Sequence, residues 1–213
     1  MHASSSSQVA VGEDVLLDGR LALFHKRERW LAVADLHFGY ELSQCAAGNL
    51  FPLWGMQTIE SRLEELLHGY NPARLIVLGD LVHDRIGARE AARLVERLSR
   101  YCKILLIAGN HDRELSDDVD LAESWKTKQF HFHHGHCAID CLGRVQIIGH
   151  YHPAGIIGDG AGMRLKLPAF VQQEKCWIMP AFSPWSSGTE FTSNESSRVW
   201  LCSPQRIFCL ETG

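Results

Sequence analysis

Five short apolar runs in this chain each end on a block of Asp, Asn or His, and this arrangement limits the possible folds more than any other feature. Trp30 to Ala34 runs into Asp35-Leu36-His37, Arg74 to Leu78 into Gly79-Asp80, and Lys103 to Ala108 into Gly109-Asn110-His111-Asp112. Gln129 to His133 leads to His134-Gly135-His136, and Arg144 to Ile148 to Gly149-His150-Tyr151-His152. Such a run, bounded by glycine and polar residues, reads as a buried strand. In open sheets, groups that follow buried strands gather outside the carboxyl ends even when they are distant in sequence. The pattern therefore predicts a sheet with a polar site along one edge.

The segments between these runs supply the rest of the fold. Met56 to His68 places Ile59, Leu63, Leu66 and Leu67 on one helical stripe, which Asn71-Pro72 closes, and Ala88 to Leu98 is a second helix. Arg20 to Phe24 forms a strand that turns at His25 to Arg29 into the strand starting at Trp30. Cys176 to Met179, Arg198 to Leu201 and Arg206 to Leu210 add strands to a second half without long helices. Helices early and strands late fit an α/β (α+β) domain with two mixed sheets flanked by helices. We expect a single domain over residues 9–213, preceded by a disordered tail, residues 1–8, with four consecutive serines and no signal-peptide core. No stretch approaches the roughly 18 apolar residues of a membrane span, so a cytoplasmic protein is expected.

Twelve histidines are the outlying feature of the composition, and six fall at 131, 133, 134, 136, 150 and 152. Carboxylates, neutral imidazoles and an amide oxygen together suit borderline divalent ions such as Mn, Fe, Zn or Co, whereas calcium would not need the histidines. In Asp35-x-His37 and His150-x-His152, an extended backbone would turn the outer side chains to one side, with Leu36 and Tyr151 pointing away. Glycines at 79, 109, 135 and 149 leave room for close approach beside each candidate ligand. His131 and His133 alternate on one strand and read as packed or surface residues, while His25, His68 and His83 have no assigned role. The seven cysteines are odd in number and scattered, which argues for reduced thiols; Cys137 and Cys141 read as a strand and its turn rather than a zinc pair. The net charge of -4 gives no basic footprint for a polyanion, although two divalent cations would cancel it.

Taken in order, D-x-H, G-D, G-N-H-D, H-G-H and G-H-x-H resemble the calcineurin-like metallophosphoesterase superfamily from about Trp30 to His152. The finer text, ADLHFGYE, VLGDLVHD, AGNHD, IIGHYHPA, LPAF and MPAFSPWSSG, is similar to the ligase-associated DNA damage response endonuclease or phosphoesterase branch, which extends the match to about Gly188. One departure stands out: the family's G-D-x-x-D block here reads Gly79-Asp80-Leu81-Val82-His83, with Asp84 one place later.

The resemblance implies a four-layer αββα sandwich. It also implies two divalent metal ions, Mn first with Fe, Zn, Co or Ni as alternatives. Asp35, His37 and His152 would hold one ion, Asn110, His134 and His150 the other, and Asp80 would bridge them, so that activated water attacks phosphorus in line. His111 would donate to the leaving oxygen, with Asp112 or Asp35 on its other ring nitrogen. His136 would lie over the phosphate; Arg113, with Arg85 and Arg164, is a candidate for non-reacting phosphates. The aromatic stretches Phe38 to Trp54 and Phe182 to Gly188 either wall the substrate cleft, with Tyr40, Trp54 or Trp185 stacking on a base, or pack under loops.

The implied substrate is a phosphodiester of nucleic acid or nucleotides, single-stranded DNA included, in a DNA-repair setting with helicase or ligase partners and no membrane. Two alternatives remain: a phosphomonoesterase or pyrophosphohydrolase of a small metabolite, and a non-catalytic scaffold. The scaffold predicts an eroded site, but all seven ligand positions and His111 carry competent residues.

Overall fold

The computed structural model describes residues 6–115, 119–140, 142–158, 160–191 and 196–210. Its first sheet has the order β1 (Gln8–Gly12), β2 (Val15–Asp18), β3 (Ala22–His25), β4 (Trp30–Val33), β5 (Arg74–Leu78), β6 (Lys103–Ile107) and β7 (Leu121–Ala122). The first four strands form an antiparallel meander; from β4 onward the pairing is parallel. The short helix α1 (Tyr40–Ala46) and α2 (Gly55–Tyr70) join β4 to β5, and α3 (Ala88–Leu98) joins β5 to β6. Successive parallel neighbours joined by right-handed crossovers place both long helices on one face of the sheet. There α3 and α2 are tied by Arg97 to Glu60.

The second sheet is built from β8 (Trp125–Lys126), β9 (Phe130–Phe132), β10 (Val145–Ile148), β11 (Pro153–Gly158), β12 (Arg164–Gln173), β13 (Cys176–Ile178), β14 (Thr189–Glu190), β15 (Ser197–Cys202) and β16 (Ile207–Leu210). Strands β9, β10 and β13 are mutually parallel, and β12 runs antiparallel to β11, β13 and β15. The two mixed sheets bury one shared core, in which Trp30 of β4 meets Phe130 and Phe132 of β9 edge-on, at 5.6 and 5.0 Å between centroids. Edge-to-face packing of this kind adds to the area buried. A smaller cluster of Ile148, Ala169, Val171, Ile178, Val199 and Leu201 fills the other face of the second sheet. Among the described residues all three α-helices lie in the first half of the chain, so helical cover falls on the first sheet.

Helix α2 buries Ile59, Leu63, Leu66 and Leu67, the stripe expected, and ends where Asn71 adopts a left-handed conformation before Pro72. Several boundaries differ from the expectations. The strand expected from Arg20 begins at Ala22 because Leu21 has φ 71 and turns the chain. Gln8, assigned to the tail, opens β1, and Ser7 accepts a bond from the Gly19 N–H. The hairpin of β11 and β12 was not expected, because Pro153, Pro168 and several glycines interrupt its apolar pattern; Pro153 opens its strand. Cys137 lies exposed in a bend rather than on a strand. Cys141 and residues 1–5 of the expected tail lie outside the described residues. No helix among the described residues is long and apolar enough to cross a membrane.

Candidate metal centre

The carboxyl ends of β4, β5 and β6 in one sheet and of β9 and β10 in the other release their polar blocks toward a common edge. The loop after β4 runs beside the loop after β5: Asp35 N–H donates to Gly79 O (3.2 Å), His37 N–H to Asp80 O (2.9 Å) and Phe38 N–H to Leu81 O (2.8 Å). The loop after β10 docks on the same place, its His150 N–H lying 3.1 and 3.0 Å from the two Asp35 carboxylate oxygens.

Side-chain convergence here is not produced by extended backbone, which corrects the strand-alternation argument. Asp35, His37, Asp80, His150 and His152 have φ of 54, 44, 47, 68 and 45°, all in the left-handed region that non-glycine residues rarely enter. Each D-x-H or H-x-H segment thus carries two left-handed residues, and its outer side chains converge on the centre. Leu36, between them, is buried in the core, and Tyr151 is exposed.

Two groups of donors result. Asp35, His37 and His152 offer atoms within 4.8 Å of one another, and so do Asp80, His134 and His150. In the first group His37 Nε2 lies 3.4 Å from His152 Nε2, and Asp35 Oδ1 lies 3.5 Å from the latter. In the second, His134 Nε2 is 3.1 Å from Asn110 Oδ1 and 3.4 Å from Asp80 Oδ2, and that same carboxylate oxygen is 3.9 Å from His37 Nε2. Donors sharing one ion through bonds of about 2.1 Å sit roughly 3.0 to 3.4 Å apart at tetrahedral or octahedral angles. The spacings within each group, 3.1 to 3.5 Å, lie at or next to that edge length, and the His37 to Asp80 spacing of 3.9 Å is the longer one, so these residues fit divalent ions.

Outer partners aim the rings. His134 donates from Nδ1 to Leu78 O (2.9 Å), and Ser186 Oγ occupies His152 Nδ1 at 3.1 Å, so each ring turns Nε2 to the centre. Burial, opposed by the Asp80 charge and helped by His152, His111 and His83, pulls His37 down to about 3, which keeps it a neutral ligand. Asp80 is pushed up by burial, but bonds from His134 and the His111 N–H outweigh this and hold it at about 2, ionised.

His111 donates its backbone N–H to Asp80 Oδ1 (2.9 Å), and its Nδ1 lies 2.7 Å from the His83 carbonyl. That carbonyl, rather than Asp112 or Asp35, is the partner of the ring. Asp112 is buried beneath the loop, where its oxygens accept the N–H groups of Val82 (3.2 Å) and Gly109 (2.8 Å). It ties the two loops together and does not line the cleft. His136 is exposed, its ring 5.2 Å from that of His134, and partial loss of solvent around the ring together with the His134 charge lowers its pKa. Arg113 is exposed close enough for its charge to lower His136 further. Tyr40 lies 4.7 Å from His83, ring to ring, in a cavity of about 170 Å³ shared with His37, His152 and Trp185. Arg85 and Arg164 are exposed.

Sequence reasoning left His83 without a role, yet its ring stacks on His111 at 5.4 Å and forms a third donor group with His37 and His111. The signal was the departure at this position, His83 standing where the family has a carboxylate. His131 and His133 are buried and packed against each other, with His133 Nε2 3.0 Å from Gln146 Oε1.

The fold has counterparts among known proteins. A comparison with curated proteins returned no match. Eleven solved chains match, among them the nuclease MPE of Pseudomonas putida, at 27% identity and a TM-score of 0.76, covering 98% of this chain and 100% of that one. The family model described as calcineurin-like phosphoesterase matches residues 29–177, from just before β4 into β13. The chain belongs to the calcineurin-like phosphoesterase family, and it is a hydrolase of phosphoester bonds that uses divalent metal ions.

Proposed function

We propose that the protein cleaves phosphodiester bonds of nucleic acid, single-stranded DNA first, with two divalent ions held by Asp35, His37 and His152 and by Asn110, His134 and His150. Asp80 is shared between them. The observation that carries the reading is the position of Asp80 Oδ2, between the two histidine groups at 3.4 and 3.9 Å, with His111 fixed on the other oxygen of the same carboxylate. Bound ions would supply an activated water and positive charge against the phosphoryl oxygens.

The chain's own residues do the remainder. His111, whose Nδ1–H donates to the His83 carbonyl, gives the second proton of its imidazolium form from Nε2 to the leaving oxygen as the P–O bond breaks, and the neutral ring left behind takes a proton back from solvent. His136 and Arg113 contact the non-reacting phosphoryl oxygens. The similarity to a nuclease supports a diester of nucleic acid over a small monoester. The resemblance carried by MPAFSPWSSG and the blocks before it supports a DNA-repair setting, for which we take the cytoplasm as the compartment and manganese as the working metal.

The test is hydrolysis of bis-p-nitrophenyl phosphate and of p-nitrophenyl phosphate by metal-stripped protein refilled with Mn. Diester turnover is expected to vanish in Asp80→Ala. In His111→Ala it should fall by about 10²- to 10⁴-fold with metal content unchanged. Turnover of the monoester alone would replace this reading with a phosphomonoesterase.

A further inference from the structure

Four aromatic rings form a continuous wall beside the centre. Trp185 has its centroid 4.2 Å from Trp54, 4.6 Å from Phe51 and 6.4 Å from Tyr40, and Tyr40 in turn meets His83. The wall is partly open to water: Leu50, Leu53 and Trp54 are 104, 60 and 46% exposed, a concentration of large apolar side chains on one short loop. Contiguous exposed apolar surface of this kind marks a place where something binds.

The central ring is also held rigidly. Glu41, fully buried, accepts the Trp185 indole N–H at 3.0 Å and the Met56 N–H at 2.6 Å, clamping Trp185 to the start of α2. Gly55 makes this possible, since a Cβ there would stand 2.1 Å from the indole nitrogen. A buried carboxylate spent on fixing a tryptophan next to a reaction centre suits a preorganised contact rather than simple filling.

Charge points to the occupant. The 21 Lys and Arg against 25 Asp and Glu give no net cationic excess for holding a strand by its phosphates alone, so contact with the bases adds a second handle beyond the scissile group. Stacking on aromatic side chains supplies that contact for any base. The side is fixed by neighbours: the wall borders His83, which stacks on His111, whereas His136 and Tyr151 lie with His134 and His150.

We propose that Tyr40, Phe51, Trp54 and Trp185 form a base-stacking subsite for the nucleotide on the leaving-group side of the scissile phosphate. This rests on the phosphodiesterase reading and on His111 as proton donor. The experiment compares kcat/KM on a short oligothymidine with that on the same strand carrying an abasic residue on the leaving side of a single cleavable bond. Anisotropy with labelled strands, calcium replacing manganese, reads binding separately. Trp185→Ala and Trp54→Ala should each lower kcat/KM on the thymidine strand by on the order of tenfold, mainly through KM, and change it little on the abasic strand. Trp185→Phe, which keeps a stacking ring but loses the indole N–H held by Glu41, should recover part of the loss.

Equal losses on both strands, or wild-type binding indifferent to the missing base, would overturn the subsite while leaving the phosphodiesterase reading intact. Base-dependent binding without any diester turnover would sink the phosphodiesterase reading and keep a stacking site.

Discussion

Adding a single methyl group at Gly109 tests the centre without removing any of its ligands. An Ala Cβ there would stand 2.1 Å from Asp80 Oδ1 and 2.2 Å from the Asp80 backbone N, where ordinary contact begins at 3.4 Å. One side must therefore yield by more than 1 Å. The Gly109 side is pinned, because its N–H is bonded to Asp112 Oδ2 at 2.8 Å, and His111 N–H holds the same Asp80 oxygen at 2.9 Å. The strain of overpacking is about 1 to 3 kcal/mol, so the melting temperature should fall by roughly 2 to 12 °C and the fold should survive. Displacing Asp80 by that distance should lower turnover of bis-p-nitrophenyl phosphate about 100-fold or more. Metal content by elemental analysis should drop below two ions per chain. Gly69→Ala in α2, where a Cβ meets nothing within 4 Å, is the control and should gain up to about 1 kcal/mol. If Gly109→Ala retained two ions and full turnover, Asp80 could not be the shared ligand in the observed position.

Asp112→Ala would leave the buried N–H groups of Val82 and Gly109 without acceptors. At about 1 to 3 kcal/mol each, thermal unfolding should show a loss of roughly 3 kcal/mol, with reduced metal retention as the loops separate. Asp18 is pushed up by burial, but bonds from Arg20 and from Tyr70 (2.7 Å) prevail and set it below its ordinary 3.8. Its contribution to stability is therefore complete above that value and is lost as pH falls through the lower folded value. Asp18→Asn should cost about 3 kcal/mol at neutral pH and flatten the acid limb of a denaturation series; an unchanged acid limb would place the effect elsewhere. Chelation of the metals should lower the melting temperature of the wild type, and lower it much less for Asp80→Ala.

The amino-acid pattern revealed most of the elements that carry the site, because local physics decides them. The runs RLIVL and KILLI are short, apolar and bounded by breakers, and they became β5 and β6 nearly as read. The apolar stripe in α2 needed no tertiary context either. What was not legible depended on contacts between distant residues. The His111 ring gained its place from the His83 carbonyl, 28 residues away in the chain, and Trp185 from a carboxylate 144 residues away. Ser186 was invisible as a partner of His152 for the same reason. The hairpin of β11 and β12 was masked by prolines and glycines, including Gly155, whose missing Cβ makes room for Leu201.

The left-handed residues explain why the ligand pattern could be found although its backbone was misread. A strand places alternate side chains on one side at no conformational cost, and left-handed residues achieve the same convergence at about 1 kcal/mol or more per residue. Five such residues, Asp35, His37, Asp80, His150 and His152, represent a cost on the order of 5 kcal/mol, comparable with the whole stability of a typical domain. The return is density: three loops approach closely enough for Asp35 to accept the His150 N–H and for Asp80 to stand between two histidine groups. Extended segments would have spread these donors along two sheet edges. The spacing D-x-H survives in either geometry, so the pattern identifies the ligands without disclosing the strain. Ions that bind only the folded arrangement offset that strain by mass action, which couples the stability of the loops to the chemistry they carry out.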